Sequence, residues 1–354
     1  MTLLITGGGG FVMSNLARRW LESDPGARVV VLDAAPFDAL AERFFAPIRD
    51  RLEFVQGDVL EPASWRRVGE DGSIAHIVHG ATITPSRRGK TTREAEVEQA
   101  RLTLDVNIRG TINLLDWAAR RPPLARFIYV SSGSVYGDEG PATPGAPLPE
   151  DGYVDPQGFY AVSKYASELI ARRYAAQLGV PAIAVRLASV YGPMDRATPA
   201  RSIQCVPYRM AHLALAGRPI RLNTLDGVGD WIHAGEVAEA LARLFRAQRL
   251  RYPVYNIAYG QAVTGAELIG HIADKLPGTR HELVPEDRAE VVQDPGRRAG
   301  QWGAYDITRL TEDTGWRPRP LGEAFHDYID WLTAYEFAPG AAPATLGGDE
   351  ESPT

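Results

Sequence analysis

The sequence predicts an α/β protein built on a doubly wound parallel sheet, with a smaller C-terminal cap. Three observations lead to this fold class. Four consecutive glycines follow the first short apolar segment, short aliphatic runs alternate with segments of helical spacing, and the alternation breaks up after residue 193. With 354 residues, of which 45% are hydrophobic, the chain is long enough for one large domain with an elaboration or for two domains.

Six short runs of β-branched and aliphatic residues predict strands that are buried on both faces, as in a parallel sheet. They lie at residues 3–6, 28–33, 52–56, 76–79, 126–131 and 182–186. Longer segments with helical spacing separate them, at residues 11–22, 94–119 and 159–178. Repeated strand–helix order of this kind is typical of a doubly wound sheet with helices on both faces.

After Pro193 the units become shorter, and helices are predicted at residues 202–216, 235–248, 266–275 and 321–336. We assign residues 1–193 mainly to the sheet domain, with 229–256 returning to it, and residues 194–337 mainly to the cap. Residues 338–354 are rich in Ala, Gly, Pro and acidic residues with little to bury, so we expect a disordered tail.

Composition narrows the class of partner and the compartment. The net charge of −6 gives no electrostatic reason to expect nucleic acid or an anionic membrane, so a small molecule is favoured. Cys205 is the only cysteine, which excludes an internal disulfide and favours a cytoplasmic protein. No segment approaches the about 20 apolar residues of a spanning helix, so we expect no membrane association. His212, His233 and His271 are scattered without ligand spacing, so no metal site is expected.

The opening stretch "TLLITGGGGFVMSNLARRWL" places Gly7 to Gly10 between the first strand and an amphipathic helix. In this context, glycines let backbone N–H groups approach a pyrophosphate at the positive end of the helix. An ordinary tight turn is the alternative. Met13 stands where a third glycine is expected. Because that glycine serves helix–strand contact rather than phosphate contact, we expect the methionine to fill a wider gap without abolishing binding.

A carboxylate at the end of the second strand favours NAD as the dinucleotide. Asp33 follows the glycines by about 20 residues, where a carboxylate accepts hydrogen bonds from an adenosine ribose diol and repels a 2′-phosphate. Ala34 and Ala35 offer no arginine to hold such a phosphate. We therefore expect a Rossmann domain that binds NAD rather than NADP. Asp58, in "VQGDV", either caps a turn or contacts adenine, and the sequence leaves both open.

The chemistry is predicted further along the chain. The segment "YVSSGSVYG" runs from the fifth strand into a loop at its C-terminal end, where ligands bind in open α/β sheets. In "FYAVSKYASELI", Tyr160 and Lys164 stand at i and i+4 on one face of a helix. A tyrosine normally titrates at about 10, and a neighbouring ammonium lowers that pKa by stabilising the phenolate. We therefore expect the pair to exchange a proton with a substrate alcohol.

Together these motifs resemble the extended short-chain dehydrogenase/reductases, also called the NAD-dependent epimerase/dehydratase family. The resemblance runs from the glycine turn to "DTGWRP" at residues 313–318, which is nearly the whole chain. It rests on several motifs in the right order: "TGGGGFV", Asp33, "GDV", "HGAT", "NIRGTINLL", the serine-rich loop, Tyr160 with Lys164, "VYGP" and "GDWIHAGEVA".

The resemblance implies a mechanism that uses Ser, Tyr and Lys. Ser132 would hydrogen-bond the reacting oxygen, and Tyr160 would act as general acid/base. Lys164 would hold the nicotinamide ribose and tune the tyrosine, with Asn107 in a supporting role. The other NAD contacts would be Gly7, Gly10, Phe11, Val12, Asp33, Asp58, Val59, Gly80, Ala81 and Thr82. The substrate would contact Thr82, Ser132, Gly133, Ser134, Ser189 and Arg196. The family's two long helices commonly pair across a dimer interface, which implies a homodimer.

Departures from the family pattern narrow the reaction. Dehydratases of the family carry an Asp-Glu pair directly after the catalytic Ser or Thr to protonate a leaving hydroxyl. Here these positions are Gly133 and Ser134, so we do not expect dehydration.

Nucleotide-sugar epimerases of the family usually carry an arginine where this chain has Gly229, and a second basic site. Arg297 or Arg298 either supplies that second site or is a solvated loop charge. Loss of a bidentate phosphate contact favours a smaller sugar, sugar acid or polyol-like alcohol. Arg196 and Arg201 either pair with a substrate carboxylate or are surface charges.

The sequence therefore predicts an NAD-dependent oxidoreductase that transfers a hydride at a secondary alcohol carbon. A nucleotide-sugar epimerase resembling UDP-glucose 4-epimerase, with tightly bound NAD, is the alternative within catalysis. A non-catalytic dinucleotide sensor is a third hypothesis, disfavoured because a pure binder has no need of Ser132, Tyr160 and Lys164 together. The substrate and the direction of the reaction are not determined by the sequence.

Overall fold

A computed structural model of the protein describes residues 1–68, 73–84, 92–121, 124–137, 144–198, 200–201, 204–294, 297 and 303–337. The strands are β1 (Thr2–Thr6), β2 (Arg28–Asp33), β3 (Leu52–Gln56), β4 (Ile74–His79), β5 (Arg126–Ser132), β6 (Ala182–Leu187), β7 (Ser189–Tyr191), β8 (Ile220–Leu222), β9 (Val228–Gly229), β10 (Trp231–His233), β11 (Val254–Ile257), β12 (Val263–Thr264) and β13 (His281–Leu283). The α-helices are α1 (Phe11–Ser23), α2 (Ala39–Phe45), α3 (Pro62–Arg67), α4 (Thr92–Leu104), α5 (Gly110–Ala119), α6 (Gly158–Leu178), α7 (Val206–Leu215), α8 (Ala234–Arg246), α9 (Gly265–Lys275), α10 (Thr308–Thr314) and α11 (Leu321–Tyr335).

Seven of the described strands form one sheet in the order β11-β6-β5-β4-β1-β2-β3. All of its strand pairs are parallel. The chain leaves β1 in one direction for β2 and β3 and in the other for β4, β5 and β6. This reversal beside β1 opens a crevice at the carboxyl ends of β1 and β4, where dinucleotides bind in such sheets. The predicted doubly wound α/β fold is therefore confirmed.

Helices cover both faces of the sheet, as the buried character of the strands predicts. Successive residues of β1 enter different cores, since Leu3 and Ile5 pack with α1 and α8 while Leu4 packs with α5 and α6. The strand β11, "VYNI", was not predicted. It is only four residues long, although all four are buried, and it extends the sheet beyond β6.

The long helix predicted at residues 94–119 is interrupted in the structure. The chain widens to one turn of π-helix at Asp105–Arg109, between α4 and α5. Turns of this kind are rare and frequently occur at functional sites. Here the turn carries Asn107, which is only 1% exposed.

The C-terminal elements enclose a core of their own, formed by α7, α9 and α11 around residues such as Tyr208, Leu268 and Phe325. Helix α7 begins at Val206 rather than at residue 202, with Pro207 in its first turn. The predicted tail at 338–354 lies outside the described residues. Among the helices that the structure describes, none is long and apolar enough to cross a membrane.

Candidate active site

The glycine turn lies at the carboxyl end of β1. Gly7 has φ +70, and a Cβ there would lie 2.8 Å from the Cα of Ala81, so both backbone conformation and space require glycine. Gly10 precedes α1, and no side chain among the described residues caps this helix. The first N–H groups of α1 are therefore left for an anion, and Phe11 and Val12 begin the helix at that point.

Asp33, at the end of β2, places its carboxylate against this glycine turn. Asp33 Oδ2 accepts a hydrogen bond of 2.9 Å from the Gly9 N–H, and Oδ1 accepts one of 3.3 Å from Ala35. Burial raises the pKa of Asp33. Asp58 instead accepts a hydrogen bond of 2.8 Å from the Leu60 N–H, so it caps a turn, as one of its two predicted roles requires.

Met13 packs against the end of β4. The side chain is only 3% exposed, and a Cβ added to Gly80 would lie 2.3 Å from Met13 Cγ. Ala81 follows, and its N–H donates to the Thr6 hydroxyl at 3.2 Å. The methionine therefore occupies space between α1 and β4 that a third glycine would leave empty. Its contact is with the sheet, as the sequence predicts.

Tyr160 stands at the start of α6, next to two hydroxyl groups. The side chains of Ser132 and Thr84 lie near its phenol and act to lower its pKa. Ser132 ends β5, and its Oγ also accepts a hydrogen bond of 3.2 Å from the Ser134 N–H. The predicted Ser–Tyr pair is thus brought together. Thr84 was not predicted, because it becomes a neighbour of Tyr160 only through the path of the loop after β4.

The electrostatic surroundings of Tyr160 differ from those expected. Burial raises the pKa of Tyr160, while the hydrogen bonds with Ser132 and Thr84 and the charge of Arg201 act in the opposite direction without outweighing it. The expectation from the sequence was that Lys164 lowers this pKa. In the structure, Arg201 is the described cation with that effect.

Lys164 is buried behind Tyr160. Its Nζ donates a hydrogen bond of 2.9 Å to the Val130 carbonyl and lies 5.7 Å from the centroid of the Tyr160 ring. Burial lowers the pKa of Lys164 to about 7. The ammonium is therefore held by the β5 backbone, close to the tyrosine but not on its hydroxyl.

Asn107 links the loop after β4 to α6, the helix that carries Tyr160 and Lys164. Its Nδ2 donates to Ser163 Oγ at 2.9 Å, and Ser163 Oγ donates to the Tyr160 carbonyl at 2.7 Å. Its Oδ1 accepts from the Ile83 N–H at 2.8 Å and from the Thr82 hydroxyl at 3.0 Å. The asparagine thus has contacts suited to holding the loop after β4 and the start of α6 in position. The Thr82 hydroxyl donates its hydrogen bond to this asparagine.

A buried ion pair fixes α6 to the sheet two turns beyond Tyr160. Arg186 of β6 donates to both carboxylate oxygens of Glu168, at 2.7 and 3.0 Å. Their side chains are 3% and 0% exposed. Because Glu168 is on the same helix as Tyr160 and Lys164, this bidentate pair sets the position of both.

Arg196, a predicted substrate contact, lies over the glycine turn in the structure. The chain turns back at Met194, which has φ +73. Arg196 consequently lies over the glycine turn, donating to the Gly9 carbonyl at 3.1 Å and to Asp38 at 2.6 Å. Arg201 of the same loop pairs with the buried Asp195, and its charge acts to lower the pKa of Tyr160.

The remaining predicted substrate contacts differ in accessibility. Gly133 is buried, whereas Ser134 and Ser189 are exposed. Ser189 begins β7, and its N–H donates to the Asp230 carbonyl at 3.2 Å. Arg297 forms an ion pair of 3.7 Å with Asp294, and Arg298 lies outside the described residues.

A dinucleotide turn, an acidic end to β2 and a tyrosine–serine pair at the carboxyl edge of one parallel sheet define a Rossmann-type oxidoreductase. The comparisons with known proteins agree with this class. The model of the NAD dependent epimerase/dehydratase family matches residues 3–258, and the chain belongs to that family. It is an NAD-dependent enzyme.

Relatives in the family carry out different reactions. The chain is 26% identical over 346 residues to a dTDP-glucose 4,6-dehydratase of Mycolicibacterium smegmatis, covering 95% of this chain and 94% of the relative. It is 31% identical over 275 residues to a GDP-6-deoxy-D-mannose reductase of Pseudomonas aeruginosa, covering 74% and 80%.

Solved structures share the fold. A dTDP-glucose 4,6-dehydratase from Bacillus anthracis in complex with NAD aligns with a TM-score of 0.75 and 22% identity, covering 95% of this chain and 98% of that one. A UDP-glucose 4-epimerase from Thermotoga maritima aligns with a TM-score of 0.75 and 20% identity, covering 94% and 99%.

Proposed function

We propose that the protein transfers a hydride between NAD and a secondary alcohol carbon of a sugar, sugar acid or similar polyol-like substrate, without loss of water. The contact of Tyr160 with Ser132 carries this proposal. When bound, NAD supplies the acceptor or donor of the hydride. The protein's own residues bind the substrate oxygen and move its proton.

The chain's residues divide this work between them. Ser132 hydrogen-bonds the substrate oxygen, and Tyr160 takes or returns the hydroxyl proton. Lys164, held on the Val130 carbonyl, lies behind the tyrosine and holds the nicotinamide ribose. The N-terminus of α1 and Asp33 hold the pyrophosphate and the adenosine ribose. Neither Gly133 nor Ser134 provides the carboxyl group that dehydration requires.

The test is NADH absorbance with NAD and a panel of sugars, sugar acids and polyols. We expect NADH to form with a member of the panel and Tyr160→Phe to abolish its formation. Tyr153→Phe is the matched control, because Tyr153 is 78% exposed. Turnover that persists in Tyr160→Phe would exclude the proposed general acid/base, and no turnover with any substrate would exclude the dehydrogenase.

An epimerase is the second candidate, favoured by the position of Arg196. This arginine joins the loop after β7 to Gly9 and Asp38 across the glycine turn, which suits a cofactor that stays bound through the cycle. An epimerase retains NAD through gel filtration and forms an epimer without net NADH. A dehydrogenase requires added NAD and releases NADH.

We propose that residues 1–193 with 229–256 bind NAD and that 194–337 bind substrate, with a homodimer formed in the cytoplasm. The separate core of α7, α9 and α11 supports this division into an NAD-binding and a substrate-binding part.

The proposed homodimer forms through α4 and α6. These helices pack side by side and expose apolar side chains at Val97, Leu102, Phe159, Val162 and Leu169. Sedimentation equilibrium tests it, since charged substitutions at Leu102 and Val162 should yield monomers.

A further inference from the structure

His79 joins the glycine turn to the π-helical turn through both nitrogens of its ring. It ends β4 and opens the motif "HGAT", is 1% exposed, and has no role predicted from the sequence. Its Nδ1 lies 2.7 Å from the hydroxyl oxygen of Thr6, which ends β1 directly before Gly7. Its Nε2 lies 3.0 Å from the hydroxyl oxygen of Thr111, in the first turn of α5. The ring therefore lies between the two turns and contacts a buried hydroxyl on each side.

The hydrogen bonds of Thr111 determine which ring nitrogen of His79 carries the proton. Thr111 donates its one hydroxyl proton to the Asn107 carbonyl at 2.5 Å. The Thr111 oxygen then accepts from His79, so Nε2 is the protonated nitrogen. A neutral imidazole has one N–H, and Nδ1 consequently accepts the hydroxyl proton of Thr6. The Thr6 oxygen in turn accepts from the Ala81 N–H at 3.2 Å, which agrees with this direction.

The surroundings of His79 keep its ring neutral and in place. Burial, with a further contribution from the charge of Lys164, lowers the pKa of His79 to about 3. The buried ring of Tyr129 packs against it, with 5.9 Å between the ring centroids. Because the imidazole is neutral at the pH at which the protein works, the hydrogen-bond chain keeps a single direction.

Both ends of the loop after β4 are linked to Asn107. At the end next to the strand, the His79 ring reaches the Asn107 carbonyl through the Thr111 hydroxyl. Four residues further along, the Ile83 N–H donates to Asn107 Oδ1 at 2.8 Å. The same carbonyl accepts from Ser167 Oγ of α6 at 2.8 Å. The loop, which contains predicted NAD contacts, is therefore held against α5 and α6 by one asparagine.

We propose that His79, as its Nε2–H tautomer, is a positioning residue for NAD, and that its ring sets the glycine turn and the loop after β4 relative to the π-helical turn. The ring acts on NAD through Thr6 and Ala81 rather than by contact. A Cβ at Gly7 would lie 2.8 Å from the Cα of Ala81, so the glycine turn and the loop touch and move together. Binding of NAD belongs to the family of this chain, so the inference does not depend on the proposed hydride transfer.

Nuclear magnetic resonance tests the tautomer directly. Protein labelled with ¹⁵N in its seven histidines is observed between about pH 5.5 and 8, and His79→Gln identifies the signals of His79. We expect a protonated Nε2 and an unprotonated Nδ1 that do not change over this range. A ring protonated at Nδ1, or one that titrates near about pH 6.5, overturns the inference.

Calorimetric titration with NAD tests the positioning role, and it needs no substrate. Thr111→Val removes the hydroxyl between His79 and Asn107, and the titration is made at a temperature where circular dichroism shows the variant folded. We expect the Kd for NAD to rise about tenfold. Thr111→Ser keeps the hydroxyl, so this matched control should stay within about twofold of the wild type. An unchanged Kd in folded Thr111→Val would show a purely structural role and overturns the inference.

A double variant tests whether the two hydroxyls belong to one chain. Thr6→Val removes the hydroxyl on the other side of the His79 ring and should also raise the Kd for NAD. Because both hydroxyls act through the same ring, Thr6→Val with Thr111→Val should bind NAD no more than about twofold more weakly than the weaker single variant. Losses that multiply would mean that each hydroxyl acts alone, which overturns the role of His79 between them.

Discussion

Replacing Met13 by glycine restores the third glycine that such turns usually carry, and we expect the protein to lose stability. Met13 is buried, and its Cγ and Sδ stand 2.3 and 2.6 Å from the place of a Cβ on Gly80. Glycine at position 13 leaves that volume empty in the first turns of α1.

The expected loss in the free energy of unfolding has two contributions. Truncating a buried methionine to alanine costs about 2–5 kcal/mol, and glycine in a helix costs about 1 kcal/mol more. We therefore expect Met13→Gly to lower the free energy of unfolding by about 3–6 kcal/mol. Met13→Leu, which nearly conserves volume, should cost less than about 1.5 kcal/mol.

Urea unfolding followed by circular dichroism measures both variants. A second comparison sharpens the reasoning: Gly80→Ala should destabilise the wild type but be better tolerated with Met13→Gly, because the added methyl group enters the vacated space. NAD affinity of the folded Met13→Leu variant should match that of the wild type. A loss below about 1 kcal/mol for Met13→Gly would refute the view that Met13 fills this gap.

Three further perturbations test the site. Arg186→Met leaves Glu168 buried without its partner and should cost about 3–5 kcal/mol in urea unfolding, much of it recovered by adding Glu168→Leu; a single-variant cost below about 1 kcal/mol contradicts this. Arg196→Ala removes the bonds to Asp38 and the glycine turn, so stopped-flow displacement should show NAD leaving about tenfold faster, and an unchanged rate argues against this role. Burial, with a contribution from a nearby lysine, lowers the pKa of His79 to about 3, so its contribution to stability is complete above pH 6.5 and is lost as pH falls towards 3. His79→Gln should remove up to about 1.4 kcal/mol per pH unit from the slope of unfolding free energy in that range, and an equal slope in both proteins would show that His79 does not titrate in this way.

Local sequence patterns were sufficient for most of the sheet and for the order of the motifs. Aliphatic runs mark the first six strands because a parallel strand inside a sheet has two apolar faces. The edge strand β3 differs, since Glu53 and Gln56 are exposed. The sequence did not predict the strand β11, because four residues are too few to show a pattern. The sequence did not predict the π-helical turn at Asp105–Arg109, because helical spacing continues on both sides of it.

The contacts around Tyr160 and Gly133 depend on residues far apart in the chain. Thr84 reaches Tyr160, and Tyr305 covers Gly133, only through the paths of separate loops. Arg196 and Arg201 are five positions apart, yet Arg196 bonds to Gly9 and Asp38, whereas Arg201 pairs with Asp195.

By itself, the sequence determined the fold class and predicted the glycine turn, Asp33, and Tyr160 with Lys164 on one face of a helix. These follow from short-range rules: strand burial, glycine conformation and i,i+4 spacing on a helix. Ser132 was implied by the resemblance to the family. Only the tertiary structure decided that the charge of Arg201 acts on the pKa of Tyr160 and that Tyr305 fills the space beside Gly133. The physical reason is that burial and close contact in a folded chain arise between segments whose separation in sequence carries no local signal.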